Sequence, residues 1–227
     1  MFKSYHLNQG FKYKTCKNRI NVVNYPNVYT SEQGCPINLV GKPGQAVQIS
    51  IHLPSQYICA NRERILPDWK NQPCFWVVIV LQRSRYQLVE STNTIEKEKE
   101  RLREKFMRFG CDVAFNLRDR SYMTDIIDPR TGYPLLSHPG QIPHDDTAVV
   151  KALLNYPVLK NKCRVLIHPN WGMAVYPSIL ISQAPPTIIE SVTKSIAPMH
   201  GWQEIGQESL DFFQKSGERG KGKGERV

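Results

Sequence analysis

The chain has 227 residues, an apolar fraction of 41% and a formal net charge of +10. That length suits one main domain with extensions, and no apolar run approaches the roughly 18–20 residues that a membrane-spanning helix needs. Its six cysteines (Cys16, Cys35, Cys59, Cys74, Cys111 and Cys163) are scattered with no CxxC pair. This argues against a disulfide framework or a structural zinc site, and for reduced thiols that mostly fill core space.

Residues 1–44 hold six Lys/Arg against one acidic residue and show no sustained period of 2 or 3.6. They are expected to form a basic extension, disordered or weakly packed, without the apolar run of a signal peptide. A cytoplasmic protein is the default expectation. Excess positive charge can attract nucleic acid or anionic surfaces, but solvated surface charge is the favoured explanation.

Order is expected from Ala46. The stretch AVQISIHL (46–53) alternates, with Val47, Ile49 and Ile51 on one face. Residues 62–69 suit a short helix ended near Pro67. FWVVIVLQ (75–82) is a continuous, β-branched apolar run, the pattern of a strand buried on both faces. A long helix follows, with Asn93 as N-cap and Glu96 completing a capping box. Ile95, Leu102, Phe106, Phe109, Val113 and Leu117 form its apolar stripe. Glu98, Lys99, Arg101, Arg103 and Lys105 are read as its solvated face.

YMTDIID (122–128) reads as a strand entering a Pro-Arg-Thr-Gly turn. Asp145 or Asp146 can cap a helix over residues 147–156. CRVLIH (163–168) and MAVYPSILIS (173–182) read as two strands of a hairpin, with Pro177 marking an edge or bulge. TIIESVTKSI (187–196) reads as a helix opened by Pro185 and Pro186. Residues 207–227 are a Gly/Lys/Glu-rich tail expected to be disordered. Residues 45–206 thus form an α+β domain with a mostly antiparallel sheet packed against helices.

Few residues point to chemistry. Cys163 lies near Lys160, Lys162 and Arg164, cations that favour thiolate, a soft ligand for transition metals; a small buried core residue is the blander reading. Strand alternation puts Cys163 and His168 on opposite faces, which argues against a nucleophile–base dyad. His168 is a candidate ligand contact or a surface or core-edge histidine. Trp171 suits hairpin packing or stacking on a flat ligand. His138, His144, Asp145 and Asp146 resemble a metal cluster, though helix capping explains the aspartates. Asp125 and Asp128 are either paired carboxylates or, preferably, parts of a strand end and turn. Signatures of dinucleotide, P-loop, zincin and hydrolase sites are missing.

Taken together, residues 96–137 and 162–182 resemble the methylmalonic aciduria and homocystinuria type D protein family. The shared pattern runs through Glu104-Lys105-Phe106, then Asp125, Ile127, Asp128, Pro129 and Gly132. It continues through Cys163-Arg164-Val165, His168, Trp171 and Gly172. The resemblance implies a modified nitroreductase-like scaffold and a non-enzymatic adaptor in intracellular cobalamin handling. Its implied partners are a cobalamin-processing protein and cobalamin-dependent enzymes, with neither membrane nor nucleic acid among them. In some members a cysteine supplies sulfur to cobalt while the processing partner holds the corrin, which implies Cys163 as the cobalt ligand; Cys163, His168 and Trp171 are the candidate cofactor-binding residues. Animal members carry a Cys-Cys pair where Lys162-Cys163 stands here, and Cys163 aligns with the second. The alternative is a flavin-dependent reductase on the same scaffold, against which the missing phosphate-binding signatures weigh.

Overall fold

The computed structural model describes residues 36–42, 45–72, 74–160 and 164–205. Cys163 lies outside the described residues, as do residues 1–35 and the tail from residue 207.

The strand β3 (Trp76–Arg83) is central to the fold because its side chains serve two cores. Alternation sends Val78 and Val80 to one face of the sheet and Val77, Ile79 and Leu81 to the other, and all five are buried. β3 pairs antiparallel with β2 (Ala46–His52) and with β7 (Val175–Ser182). Outward from β2 come β1 (Ile37–Val40) and β8 (Gln203–Glu204), and outward from β7 comes β4 (Thr124–Ile127). The six strands therefore run β4-β7-β3-β2-β1-β8, antiparallel throughout.

Two helices cover the first face: α2 (Asn93–Asp119) and α4 (Pro186–Ile196). All six stripe residues of α2 are buried, and each large apolar side chain withdrawn from water contributes about 1.5–3 kcal/mol. The N-cap is Thr92 rather than Asn93: its side chain accepts a bond from the Ile95 amide, while Ser91 holds Glu96. At Gly110 an added Cβ would lie 3.4 Å from Ile126, so the missing side chain lets α2 sit close on β4.

The second face is covered by α1 (Gln56–Ile65), a short 3-10 helix (Pro67–Trp69) and α3 (Asp146–Leu154), together with a separate ribbon. That ribbon pairs β5 (Val158–Lys160) with β6 (Arg164–Leu166). Ser55 caps α1 and Asp145 caps α3, each accepting from an amide three residues on.

The α+β class and the antiparallel sheet are as expected, while several local details differ. The sheet begins at Ile37, because β1 fills a place between β2 and β8 that its own short pattern does not announce. The helix expected over residues 62–69 starts earlier, at Gln56, and gives way to the 3-10 turn at Pro67. Segments 163–168 and 173–182 do not pair as a hairpin: β6 joins β5, while β7 lies between β3 and β4. Pro177 marks a local edge, as expected: β4 pairs only with residues 179–182, leaving that side of β7 without a ladder at Pro177. Of the three described cysteines, half-buried Cys111 packs against the first core, Cys59 is half-buried and Cys74 is exposed.

Candidate functional site

The sequence-predicted contacts His168 and Trp171 sit on the loop between β6 and β7. Reciprocal bonds between the His168 and Gly172 backbones, at 2.8 and 2.9 Å, close this loop. Gly172 has a φ of +56°, a backbone state that favours glycine. The Trp171 ring then stacks on the His168 ring, with centroids 4.0 Å apart and planes 11° from parallel. Tyr156, just before β5, meets the same imidazole edge-on at 5.3 Å.

The hydrogen bonds fix the state of His168. Its Nδ1 accepts from the amides of Asn170 and Trp171 at 3.1 and 3.2 Å, so Nδ1 carries no proton. Nε2–H therefore donates to Oε1 of Gln48 on β2, at 2.9 Å. The Tyr156 hydroxyl shares that oxygen at 3.5 Å. His168 is 3% exposed, and burial lowers its pKa to about 4. At neutral pH it is an uncharged bracket that orients Trp171, with both nitrogens used inside the protein. It is a buried residue, not a surface or core-edge one. Trp171 is half-buried and packs against the second core.

Gln48 and Tyr156 were not singled out by the sequence. The only signal was periodicity: Gln48, Ser50 and His52 share the β2 face opposite Val47 and Ile49. That face is polar yet covered, with Ser50 and His52 at 4% and 5% exposure and joined at 2.8 Å. Burial lowers the His52 pKa to about 4 as well.

Arg164 opens β6 immediately after Cys163, and its exposed guanidinium reaches the Asp145 carboxylate at 2.5 Å. This ties the ribbon to the N-terminus of α3. The remaining histidine–carboxylate candidates separate. His138 bonds Asp68, whereas His144 bonds Asp146 at 3.1 Å. Among the described residues no group of three or more His, Cys, Asp and Glu is placed to hold a metal. Burial pushes the Asp146 carboxyl up, against the bond from His144. The pair borders an open depression of about 540 Å³, also lined by Tyr57, Arg130 and Pro177.

The two aspartates of the strand end do structural work of different kinds. Asp125 is fully buried; its Oδ1 accepts from the amides of Ile126, Leu135 and Leu136, and Oδ2 from the Ser137 hydroxyl. This binds the 134–137 loop along the outer side of β4. Asp128 closes the turn by accepting the Gly132 amide on its carbonyl at 2.7 Å. Gly132 has a φ of +74°, and an added Cβ would meet the His144 carbonyl at 2.5 Å. The Asp128 carboxylate takes a two-point bond from Arg103 of α2, at 2.7 and 3.0 Å. Burial alone would raise its pKa, but the bonds from Arg103, the Arg130 amide and Thr131 outweigh burial and hold it below the ordinary value.

The face of α2 expected to be plain solvated surface is therefore partly committed to the fold. Arg103 anchors the turn, and Glu98, 4% exposed, holds Arg101 and the Arg85 amide. Their sequence pattern looks like ordinary alternating charge, and only the neighbouring chain reveals the difference.

The domain is thus an α+β unit with a buried acidic strand end, a turn closed at Gly132 and a stacked aromatic loop. A family model described as "Methylmalonic aciduria and homocystinuria type D protein" matches residues 21–193, and the chain belongs to that family. It is similar to the Rattus norvegicus protein named "Cobalamin trafficking protein CblD", with 22% identity over 144 residues, 61% of this chain and 47% of the rat protein. The Homo sapiens protein of the same name is 23% identical over 146 residues, 62% of this chain and 47% of the human protein. The chain spans about half the length of the curated relatives it matches. Among the described residues no helix is long and apolar enough to cross a membrane.

Proposed function

We propose that this chain is a cobalamin-trafficking adaptor that passes the cargo from a cobalamin-processing protein to cobalamin-dependent enzymes. The observation that carries this reading is family membership over residues 21–193, joined by the likeness to the rat and human cobalamin trafficking proteins. The contact region in this reading is the β5–β6 ribbon and the loop behind it. Trp171 offers a half-buried aromatic surface, held by His168, against which a flat group can stack. Cys163, beside exposed Arg164, is the proposed cobalt ligand. Deprotonated, it donates a sulfur lone pair to cobalt; the thiol proton leaves to water and no electron is transferred.

The test uses the full chain with cob(II)alamin, alone and with a cobalamin-processing protein, followed by absorbance. A thiolate-type band that Cys163→Ser abolishes supports the cobalt bond. An unchanged spectrum under both conditions sinks the cobalt bond alone. Affinity capture then tests the adaptor role, which fails if neither a cobalamin-binding nor a cobalamin-dependent protein is retained.

A further inference from the structure

We propose that the surface where α2 passes the β1–β2 turn is a binding site for a phosphate-class oxyanion. Four cations from three parts of the chain meet there: Lys42 in the turn, Arg85 just after β3, and Arg101 and Lys105 on α2.

Neutral contacts place Lys105, and the Glu98 carboxylate places Arg101 and the Arg85 backbone. Lys105 donates to Oε1 of Gln45 at 2.6 Å and lies 5.9 Å over the Trp202 ring. Gln45 lies beside Lys42, because its amide bonds the Lys42 carbonyl at 2.9 Å. Arg101 stands one helical turn before Lys105, a like-charged spacing that opposes the helix. Arg85 is brought alongside because its amide bonds Glu98, the carboxylate that Arg101 also grips. The end of β3 is held here by Gln82, whose amide group bonds the Leu102 carbonyl at 2.9 Å.

Elsewhere on α2, Lys99, Arg103 and Arg108 each have a carboxylate partner. Among the described residues, Lys42, Arg85 and Lys105 form no ion pair, and the nearby Glu98 carboxylate is already held by Arg101. Partial burial lowers the Lys105 pKa, with Arg101, Arg85 and Lys42 adding to the effect. The cluster thus carries electrostatic repulsion that a bound oxyanion would relieve, and its ammonium is already oriented before any ligand arrives. A compact tetrahedral anion with several acceptor oxygens suits several neighbouring cations better than a single carboxylate does.

The test is a titration of the full chain, carrying 13C-labelled lysine, with inorganic phosphate at constant ionic strength, using chloride as control. The Lys105 signal should move saturably. Lys105→Gln and, separately, Arg85→Gln should weaken binding about tenfold each, as loss of one charge-assisted bond implies. For the lysine variant, changes in the Lys42 signal provide the readout. Arg85 is exposed, so its variant tests the site without disturbing the core. Arg108→Gln should leave binding unchanged. Phosphatidylcholine vesicles containing phosphatidate distinguish the source: pelleting lost in Arg85→Gln assigns the site to a lipid headgroup, and saturation by free phosphate alone assigns it to a soluble phosphate ester. A linear response matching chloride with no vesicle binding overturns the proposal. So does saturation untouched by both substitutions, or binding of a polyglutamate peptide where no phosphate-bearing probe binds.

Discussion

Replacing Asp125 separates a structural carboxylate from a chemical one. Asp125 is 0% exposed and its Oδ1 accepts from three amides. The Leu135 amide also reaches the Ile126 carbonyl at 3.0 Å and keeps a partner when the carboxylate is removed. The Ile126 and Leu136 amides lose the acceptor described for them, and Ser137 is half-buried and can turn toward water. At about 1–3 kcal/mol for the orphaned buried Ile126 amide and less for the half-buried Leu136 amide, Asp125→Ala should cost about 3 kcal/mol. That is a large part of the 5–15 kcal/mol typical of a whole domain, roughly speaking. Asp125→Asn keeps an oxygen for the amides and can donate to Ser137, so it should cost only about 1 kcal/mol. Urea unfolding measures both losses, and hydrogen exchange at Leu136 should accelerate in the alanine variant far more than in the asparagine one. Equal losses for the two variants, or a loss below about 1 kcal/mol for alanine, would refute the reasoning.

The other two concern pH. Asp128 has a lowered folded pKa, so its contribution is present above the ordinary aspartate range and is lost as pH falls through the folded value. Arg103→Gln should cost about 2–3 kcal/mol at neutral pH, less than a fully buried pair because the Arg103 side chain is 23% exposed. The gap from the parent should narrow on acidification, and a gap unchanged down to strongly acid pH contradicts the assignment. His168 has a folded pKa of about 4 against 6.5, so the unfolded chain binds the proton first and stability falls as pH drops from 6.5 toward 4. The full effect is about 3 kcal/mol, shared in kind by His52. His168→Gln should flatten the measured stability–pH curve in that window, and Trp171 fluorescence should change with it; an equally steep curve in the variant counts against the buried neutral bracket.

Legibility in the sequence followed the range of the interaction. The α2 stripe was readable because apolar residues recur at helical spacing, and the same six are buried. The double-sided strand was readable in FWVVIVLQ because β3 serves two cores. The Asp128 turn was readable because Asp, Pro, Thr and Gly each suit a turn for local reasons. By contrast, β1 is only four residues long and exists as a strand because β2 and β8 flank it. The supposed hairpin failed for a related reason: two neighbouring strands with a turn between them satisfy every local rule, yet each found a better partner elsewhere.

The sequence by itself determined the long elements α2, β2, β3 and β7, the two-sided burial of β3 and the order of family motifs, since these rest on periodicity and turn chemistry within a few residues. Only the tertiary structure decided which polar side chains are committed. Gln48 and His168 are 120 positions apart, and Arg103 and Asp128 are 25 apart. A side chain's charge and hydrogen bonding depend on what packs against it, and packing at such separations leaves no periodic trace along the chain.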